Sequence, residues 1–355
     1  MLAVFVSSAL ADVPGINLNN GVFMPAVAAG TWQYDTDYAQ HSVDSALQAG
    51  FVHIDTAHDY CSDGSTAKFG GSGCPGGSNQ VGIAKAIANR PRASFFLTTK
   101  VPGCGTQGIS RDNCGPDSVA AANKNLEELG LPSTDLLLIH FPPVLGCGPL
   151  NCGVIRKQWA ALTNEIFMTN KTRALGVSNL CVAASRALLT LRAFPRPPLL
   201  CLCRSPGRVT DDHTCLRSCI SCLKCLAETP GGALTPAVNQ FKYHIGMGAD
   251  PEGLISYCKS KGIAPQAYSP LGDNTTELIS GPLVSKIGQS HGKSGVQVAL
   301  RWIWQNGVSV LTKSGNPKHL EQDLDLFDWS LTSDEMDSAN AATTPKGTPS
   351  FMCSA

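Results

Sequence analysis

Four residues of this chain are placed for proton transfer: Asp55, Tyr60, Lys100 and His140. Asp55 closes the apolar run Phe51-Val-His-Ile-Asp55, with Tyr60 just beyond it. Lys100 follows Phe95-Phe-Leu-Thr-Thr99, and His140 follows Leu136-Leu-Leu-Ile139. Short apolar runs of this length read as buried strands. Packing does not explain why three of them end in three different ionisable groups. In a parallel α/β barrel, catalytic groups collect at the C-terminal strand ends. The chemistry of the set is coherent. A Tyr hydroxyl is a poor acid, with a free pKa of about 10. A neighbouring ammonium favours the phenolate, a carboxylate holds that ammonium in place, and an imidazole hydrogen-bonds a carbonyl oxygen. Together they form a tuned proton donor for a carbonyl that receives a hydride. The alternative is an ordinary Asp–Lys pair beside an unrelated Tyr and His.

The elements that must position these groups alternate in type. Ile16–Phe23 reads as a hairpin turning at Asn20-Gly21. Met24–Trp32 reads as a first barrel strand, with Gly30-Thr31-Trp32 at its mouth. Helical patterns follow at Tyr38–Gln48, Gln80–Ala88, Ser118–Leu129 and Ile155–Thr163, each ahead of a strand, the last of these being Thr172–Val177. Further strands are expected near Ala237–Gln240, Ile263–Tyr268 and Val308–Leu311, with helices near Pro251–Lys259 and Val296–Gln305. This alternation predicts a parallel (β/α)8 barrel, the TIM barrel, with long loops on the C-terminal face. The 355 residues fit one such domain, taken here as 12–355.

Lys+Arg and Asp+Glu both number 27, so no net charge draws the chain to nucleic acid or to an anionic membrane. No apolar run approaches the roughly 18 residues of a membrane span. Residues 1–11 form a short apolar start ending Ala9-Leu-Ala11, which reads as the end of a signal peptide and implies the secretory lumen or the exterior, with the cytoplasm as the alternative. Fifteen cysteines agree with an oxidising compartment. Cys61 and Cys74, Cys104 and Cys114, and Cys147 and Cys152 fall in pairs in three successive loops. That spacing predicts three local disulfides. It does not fit a metal site, and none is expected. Between Val182 and Ser218 lie six of the twelve arginines and no lysine. Joining Ser178-Asn-Leu-Cys181 to Ile220 would restore a loop of ordinary length. Residues 182–218 are therefore read as an insertion foreign to the fold, with a genuine substrate loop as the alternative.

Gly50-Phe-Val-His-Ile-Asp-Thr-Ala-His-Asp-Tyr60 resembles the signature of the aldo-keto reductase family, as do Leu138-Ile-His140, Gly176-Val-Ser-Asn179, Val238-Asn-Gln240, Ala267-Tyr-Ser-Pro-Leu-Gly272 and Leu311-Thr-Lys-Ser314. The segments occur in family order from about Gly21 to Trp329. The resemblance implies a barrel whose floor is plugged by the hairpin. It further implies reduction of a small aldehyde or ketone by NADPH, in a monomer. Tyr60 would be the proton donor, Lys100 its activator, Asp55 the support of Lys100, and His140 the orienting group. Gly30 and Thr31 would border the cofactor. Ser178, Asn179 and Gln240 would hold the carboxamide. Tyr268 would stack on the nicotinamide, and Ser269 and Leu271 would line the pyrophosphate channel. Lys313 and Ser314 would meet a 2′-phosphate, favouring NADPH, with NADH as an alternative. The family's usual Arg is His319 here, and its Glu and Asn near adenine are Gln322 and Asp323. Trp32 and Phe141 are expected as aromatic walls of the substrate pocket. A barrel that binds dinucleotide without turnover is the second reading.

Overall fold

The computed structural model describes residues 13–61, 74, 78–143, 152–180, 216–229 and 234–348. An antiparallel hairpin of β1 (Gly15–Asn17) and β2 (Phe23–Pro25) opens the chain. Eight parallel strands then close a barrel: β3 (Val27–Gly30), β4 (His53–Asp55), β5 (Phe96–Val101), β6 (Thr134–Ile139), β7 (Thr172–Ser178), β8 (Val238–Lys242), β9 (Ala264–Tyr268) and β10 (Ser309–Thr312). Closure is made by β10, which bonds to both β9 and β3. The first barrel strand is shorter than Met24–Trp32. Pro25 has no N–H to extend a ladder, so the run divides there, and Met24 pairs with Ile16 in the hairpin.

Strand alternation sorts the side chains into layers. Leu18, Val22 and Met24 of the hairpin form one buried cluster with Phe96, Leu136, Leu138, Ala174, Val238 and Ala264 from the lower parts of five strands. The hairpin therefore closes the barrel floor with apolar contacts. At the start of β4, and two residues above Phe96 on β5, the interior turns polar. His53 Nε2 lies 2.8 Å from Thr98 Oγ1, and its Nδ1 lies 3.2 Å from Pro25 O. Burial lowers the His53 pKa to about 4, so this layer is neutral at pH 7. Two residues higher again stand Asp55 and Lys100. The intervening residues face outward, and Ile54 and Leu97 pack with Ile83 beneath the helices. A Cβ on Gly176 would come within 2.7 Å of Leu138 Cδ2 and Val238 O, so only glycine lets β6, β7 and β8 approach this closely.

The outer helices are α1 (Thr36–Ala49), α2 (Gln80–Ile87), α3 (Cys114–Leu129), α4 (Gly153–Leu162), α5 (Leu216–Ala227), α6 (Leu254–Ser260), α7 (Thr276–Ser280), α8 (Pro282–His291), α9 (Gly295–Gln305), α10 (Pro317–Leu324) and α11 (Ser333–Ala341). Asp35 caps α1 by accepting from Tyr38 N at 2.7 Å, which starts the helix two residues ahead of the expected Tyr38. Gly50, at φ 106°, ends it. A single π turn, Thr163–Phe167, prolongs α4. The short helices α7 and α8, and the terminal α10 and α11, were not anticipated by the periodicity.

Helix α5 begins inside the segment read as foreign. Leu216-Arg-Ser-Cys219 contains neither Gly nor Pro, and the helix runs through it into Ile220. Residues 182–215 lie outside the described residues.

Two of the expected disulfides are present, Cys61–Cys74 and Cys104–Cys114, with Cα separations of 6.0 and 5.5 Å. The third is different: Cys152 bonds Cys225, 73 residues away, and not Cys147, which lies outside the described residues. Cys152 stands at the N-terminus of α4, and the barrel sets α5 beside it. Arg156 Nε donates to Cys225 O across the same seam at 3.1 Å. Cys222 is disulfide-bonded as well. Among the described residues, no helix is long and apolar enough to cross a membrane, and no group of three His, Cys, Asp or Glu is placed to hold a metal.

Candidate active site

Lys100 is fully buried near the C-terminal end of β5. It lies within the strand, since Phe96–Val101 runs one residue beyond it. Its Nζ donates to Asp55 Oδ1 in a short ion-paired bond. It also donates to Thr56 O at 2.8 Å and to Tyr60 Oη at 3.0 Å. An ammonium has three donors, and all three are accounted for. The Tyr60 oxygen is the acceptor in this bond. Burial pulls the Lys100 pKa down, and the Asp55 charge and hydrogen bond oppose that fall. The other Asp55 oxygen accepts from Gln240 Nε2 at 2.8 Å, and the same Nε2 donates to Gln266 Oε1 at 2.8 Å.

His140 closes the other side. Its Nδ1 lies 2.8 Å from Asp59 Oδ1, and both residues are buried. The ring meets Tyr60 edge-on, with centroids 5.6 Å apart, and stacks on Phe141 at 3.9 Å. Burial alone would raise the Asp59 carboxyl; the charge and hydrogen bond of His140 override it and hold the pKa below the usual range. Asp55, Tyr60, Lys100 and His140 are thus brought into one cluster at the barrel mouth.

The residues anticipated for a dinucleotide ring this cluster. Asn179 donates to His140 O at 2.9 Å and to Ser178 Oγ at 3.1 Å. Tyr268 Oη donates to Asn179 Oδ1 at 2.6 Å, joining the ends of β7 and β9. Gln240 uses its amide nitrogen on Asp55 and Gln266, which leaves Oε1 as the acceptor. With the Ser178 hydroxyl as donor, and Asn179 holding that hydroxyl by its Nδ2, the set offers one donor and one acceptor, the complement of a carboxamide. Gly30 sits against β10, and Thr31 donates to Asp55 O at 3.1 Å. Ser269 follows Tyr268 at φ 48°, and Leu271 packs against the outer core. Lys313 donates to Trp32 O at 3.1 Å and lies 4.7 Å from the Tyr34 ring centroid. Ser314 O accepts from Ser42 Oγ at 3.1 Å. Trp32 is 42% exposed, with Lys313 above its ring, whereas Phe141 lies against His140. Gln322 is exposed on α10, and His319 Nε2 lies 3.5 Å from Asn316 Nδ2.

Asp323 points inward. It accepts from Thr312 Oγ1 at 2.6 Å, and burial raises its pKa to about 6. A carboxyl raised in the folded state costs nothing below its ordinary pKa. The cost grows as pH rises from about 4 and is complete above about 6. Asp323→Asn keeps an acceptor for Thr312 without the charge. It is expected to raise stability by about 2 kcal/mol at pH 7.5 and to leave it unchanged below about pH 4. Urea unfolding at the two pH values checks this, and an equal effect at both would exclude the charge as its cause.

Three further residues belong to the site. Asp59 adjoins Tyr60, but its partner His140 is 81 residues away, so nothing local marked it. Asn79 donates to Thr31 O and Tyr34 O at 2.8 and 3.0 Å and bonds Tyr60 O through its backbone, seating the Tyr60 loop. Gln266 was within reach, since it stands two residues before Tyr268 and shares its face of β9.

The model of the Aldo/keto reductase family matches residues 25–195 and 224–343. Among curated proteins, an aldehyde reductase of Saccharomyces cerevisiae is 29% identical, covering 88% of this chain and 86% of its own. The glycerol 2-dehydrogenase (NADP(+)) of the same yeast is 29% identical over 94% and 91%. The NAD(P)H-dependent D-xylose reductase of Scheffersomyces stipitis is 29% identical over 93% of each chain. The crystal structure of an aldo-keto reductase from a Medee basin deep-sea metagenome library matches with a TM-score of 0.68 at 26% identity, covering 95% of this chain and 98% of that one. The aldose reductase of Schistosoma japonicum shares the fold, with a TM-score of 0.68 at 22% identity over 96% of each chain. The closed barrel, the motifs in order and a family match across most of the chain agree: this protein belongs to the aldo/keto reductase family of NAD(P)H-dependent oxidoreductases.

Proposed function

We propose that the protein reduces an aldehyde or ketone to an alcohol with NADPH, and that Tyr60 is the proton donor. One observation carries the reading. The Tyr60 oxygen accepts from Lys100 Nζ at 3.0 Å while Lys100 is held by Asp55. When bound, NADPH supplies the hydride. Tyr60 gives its phenolic proton to the carbonyl oxygen. The Lys100 ammonium stabilises the phenolate left behind, and Asp55 keeps that ammonium charged in a fully buried site. His140 hydrogen-bonds the carbonyl oxygen and fixes its direction toward Tyr60. Ser178, Asn179 and Gln240 hold the carboxamide and so select the face of the ring. Tyr268 would stack on the ring, Ser269 and Leu271 would line the diphosphate, and Lys313 with Ser314 would meet the 2′-phosphate. Without an Arg at position 319, discrimination between the two cofactors is weaker, since a guanidinium grips phosphate bidentately. The names of the relatives support both choices: one prints NADP(+) and another NAD(P)H.

The test is oxidation of NADPH and of NADH with a panel of aldehydes and ketones. It is run on the full chain and on a chain lacking 182–215, which spares α5. Tight binding of NADPH without oxidation by any carbonyl would instead establish a binding barrel. Turnover by the shortened chain equal to or above that of the parent would support the reading of 182–215 as foreign to the fold.

We also place the protein in an oxidising compartment, because bonded cysteines persist there. Non-reducing mass spectrometry of protein purified from its native source is expected to link Cys61 to Cys74, Cys104 to Cys114 and Cys152 to Cys225. Six alkylatable thiols at these positions would refute both the bridges and the compartment.

A further inference from the structure

We infer that Asp59 is a positioning residue that keeps His140 protonated on both ring nitrogens, so that Nε2 presents a hydrogen to the substrate carbonyl. The inference rests on the carbonyl-reductase reading and deepens it. Asp59 directly precedes Tyr60, is 5% exposed, and has its Oδ1 2.8 Å from His140 Nδ1. A carboxylate only accepts, so Nδ1 must carry a hydrogen. Two forms of the ring satisfy that bond. In the neutral form Nε2 is a lone pair, which repels a carbonyl oxygen. In the imidazolium form Nε2 is N–H, which binds one. Only the second form orients a carbonyl for reduction. Among the described residues the ring bonds through Nδ1, which leaves Nε2 as the atom for substrate.

The surrounding charges show why a carboxylate is needed. Lys100 is buried on the neighbouring strand and disfavours a second cation beside it. Asp55 is already committed to Lys100 and Gln240. Among the described residues, the other neighbours of the His140 ring bring no charge. Tyr60 meets it edge-on, Phe141 stacks on it, and Asn179 bonds only its backbone carbonyl. Without Asp59, no carboxylate among the described residues would offset the Lys100 charge on a protonated ring. With it, a protonated ring completes a second ion pair, His140–Asp59, beside Lys100–Asp55. The depressed carboxyl of Asp59 agrees with this arrangement.

Reduction should therefore fall as pH rises and Nε2 loses its hydrogen. Asp59→Asn keeps shape and an acceptor but removes the charge. The falling limb of kcat/KM for 4-nitrobenzaldehyde is expected to move down by about one pH unit or more in this variant. The KM for NADPH should stay within about twofold, since no uniform binding contact to the cofactor is removed. A purely structural role would lower activity without moving the limb. Independently of turnover, two-bond nitrogen–hydrogen NMR of the imidazole, assigned with His140→Gln, reports the protonation state directly. The parent ring should be doubly protonated at pH 7.5, and the Asp59→Asn ring should be neutral there. A neutral His140 in the parent at that pH overturns the inference and needs no variant to fold. An unmoved limb in a folded Asp59→Asn protein overturns it as well. If the parent ring is doubly protonated but no carbonyl is reduced, the inference about protonation stands and the reductase reading fails.

Discussion

Tyr60→Phe is expected to lower kcat for carbonyl reduction by about 10²–10⁴-fold, the range for loss of a positioned general acid. The affinity for NADPH should change little. The substitution is close to a single-atom change. The Phe ring keeps the edge contact with His140, at 5.6 Å between centroids, and the place beside Lys100, whose Nζ lies 4.8 Å from the ring centre. What disappears is the hydroxyl, which is both the proton source and one of the three acceptors of Lys100. The buried ammonium then has one donor unmet, which costs some stability. Fluorescence titration with NADPH separates the two effects. Normal binding with collapsed turnover isolates the proton donor. Residual turnover within about tenfold of the parent would be too small a loss for the general acid and would remove Tyr60 from that role.

The barrel was legible because its strands and helices differ in period, and because three strand ends carry ionisable groups that packing does not require. Phe96, Thr98 and Lys100 climb one face of β5 at every second residue, so the position of Lys100 above the floor follows from the pleat. Boundaries were less legible where a single residue decides them. Pro25 splits one apparent strand into two, and the Asp35 cap lengthens α1. Pairings that depend on closure of the barrel were not legible at all. Cys152 finds Cys225 only because α4 and α5 stand side by side, whereas spacing along the chain favours the nearest cysteine. Asp59 meets His140 only because the loop after β4 reaches the end of β6. Asp323 likewise reads as a surface residue of α10 until the helix is docked and turns it onto Thr312.

Lys100→Met should be the most damaging single change in stability as well as in rate. Lys100 and Asp55 are both fully buried, and Asp55 keeps only Gln240 as a partner once the ammonium is gone. Breaking a buried pair by removing one partner typically costs about 3–5 kcal/mol, because the remaining charge is uncompensated. Turnover should collapse too, since nothing remains to stabilise the Tyr60 phenolate. The two losses have different origins, and a second substitution separates them. In Asp55→Asn/Lys100→Met the stranded charge is gone, the amide still accepts from Gln240, and most of the lost stability should return. Activity should not return, because the ammonium is still missing. Urea unfolding of the parent, the single variant and the double variant, read beside NADPH turnover, tests both halves. If the double variant is as unstable as Lys100→Met alone, the lysine stem is holding the barrel by packing. If the double variant regains turnover, the ammonium is not the activator of Tyr60. The expected pattern, stability recovered and catalysis still lost, would mean that the buried ion pair is kept for chemistry at a site where uncharged residues would fold as well.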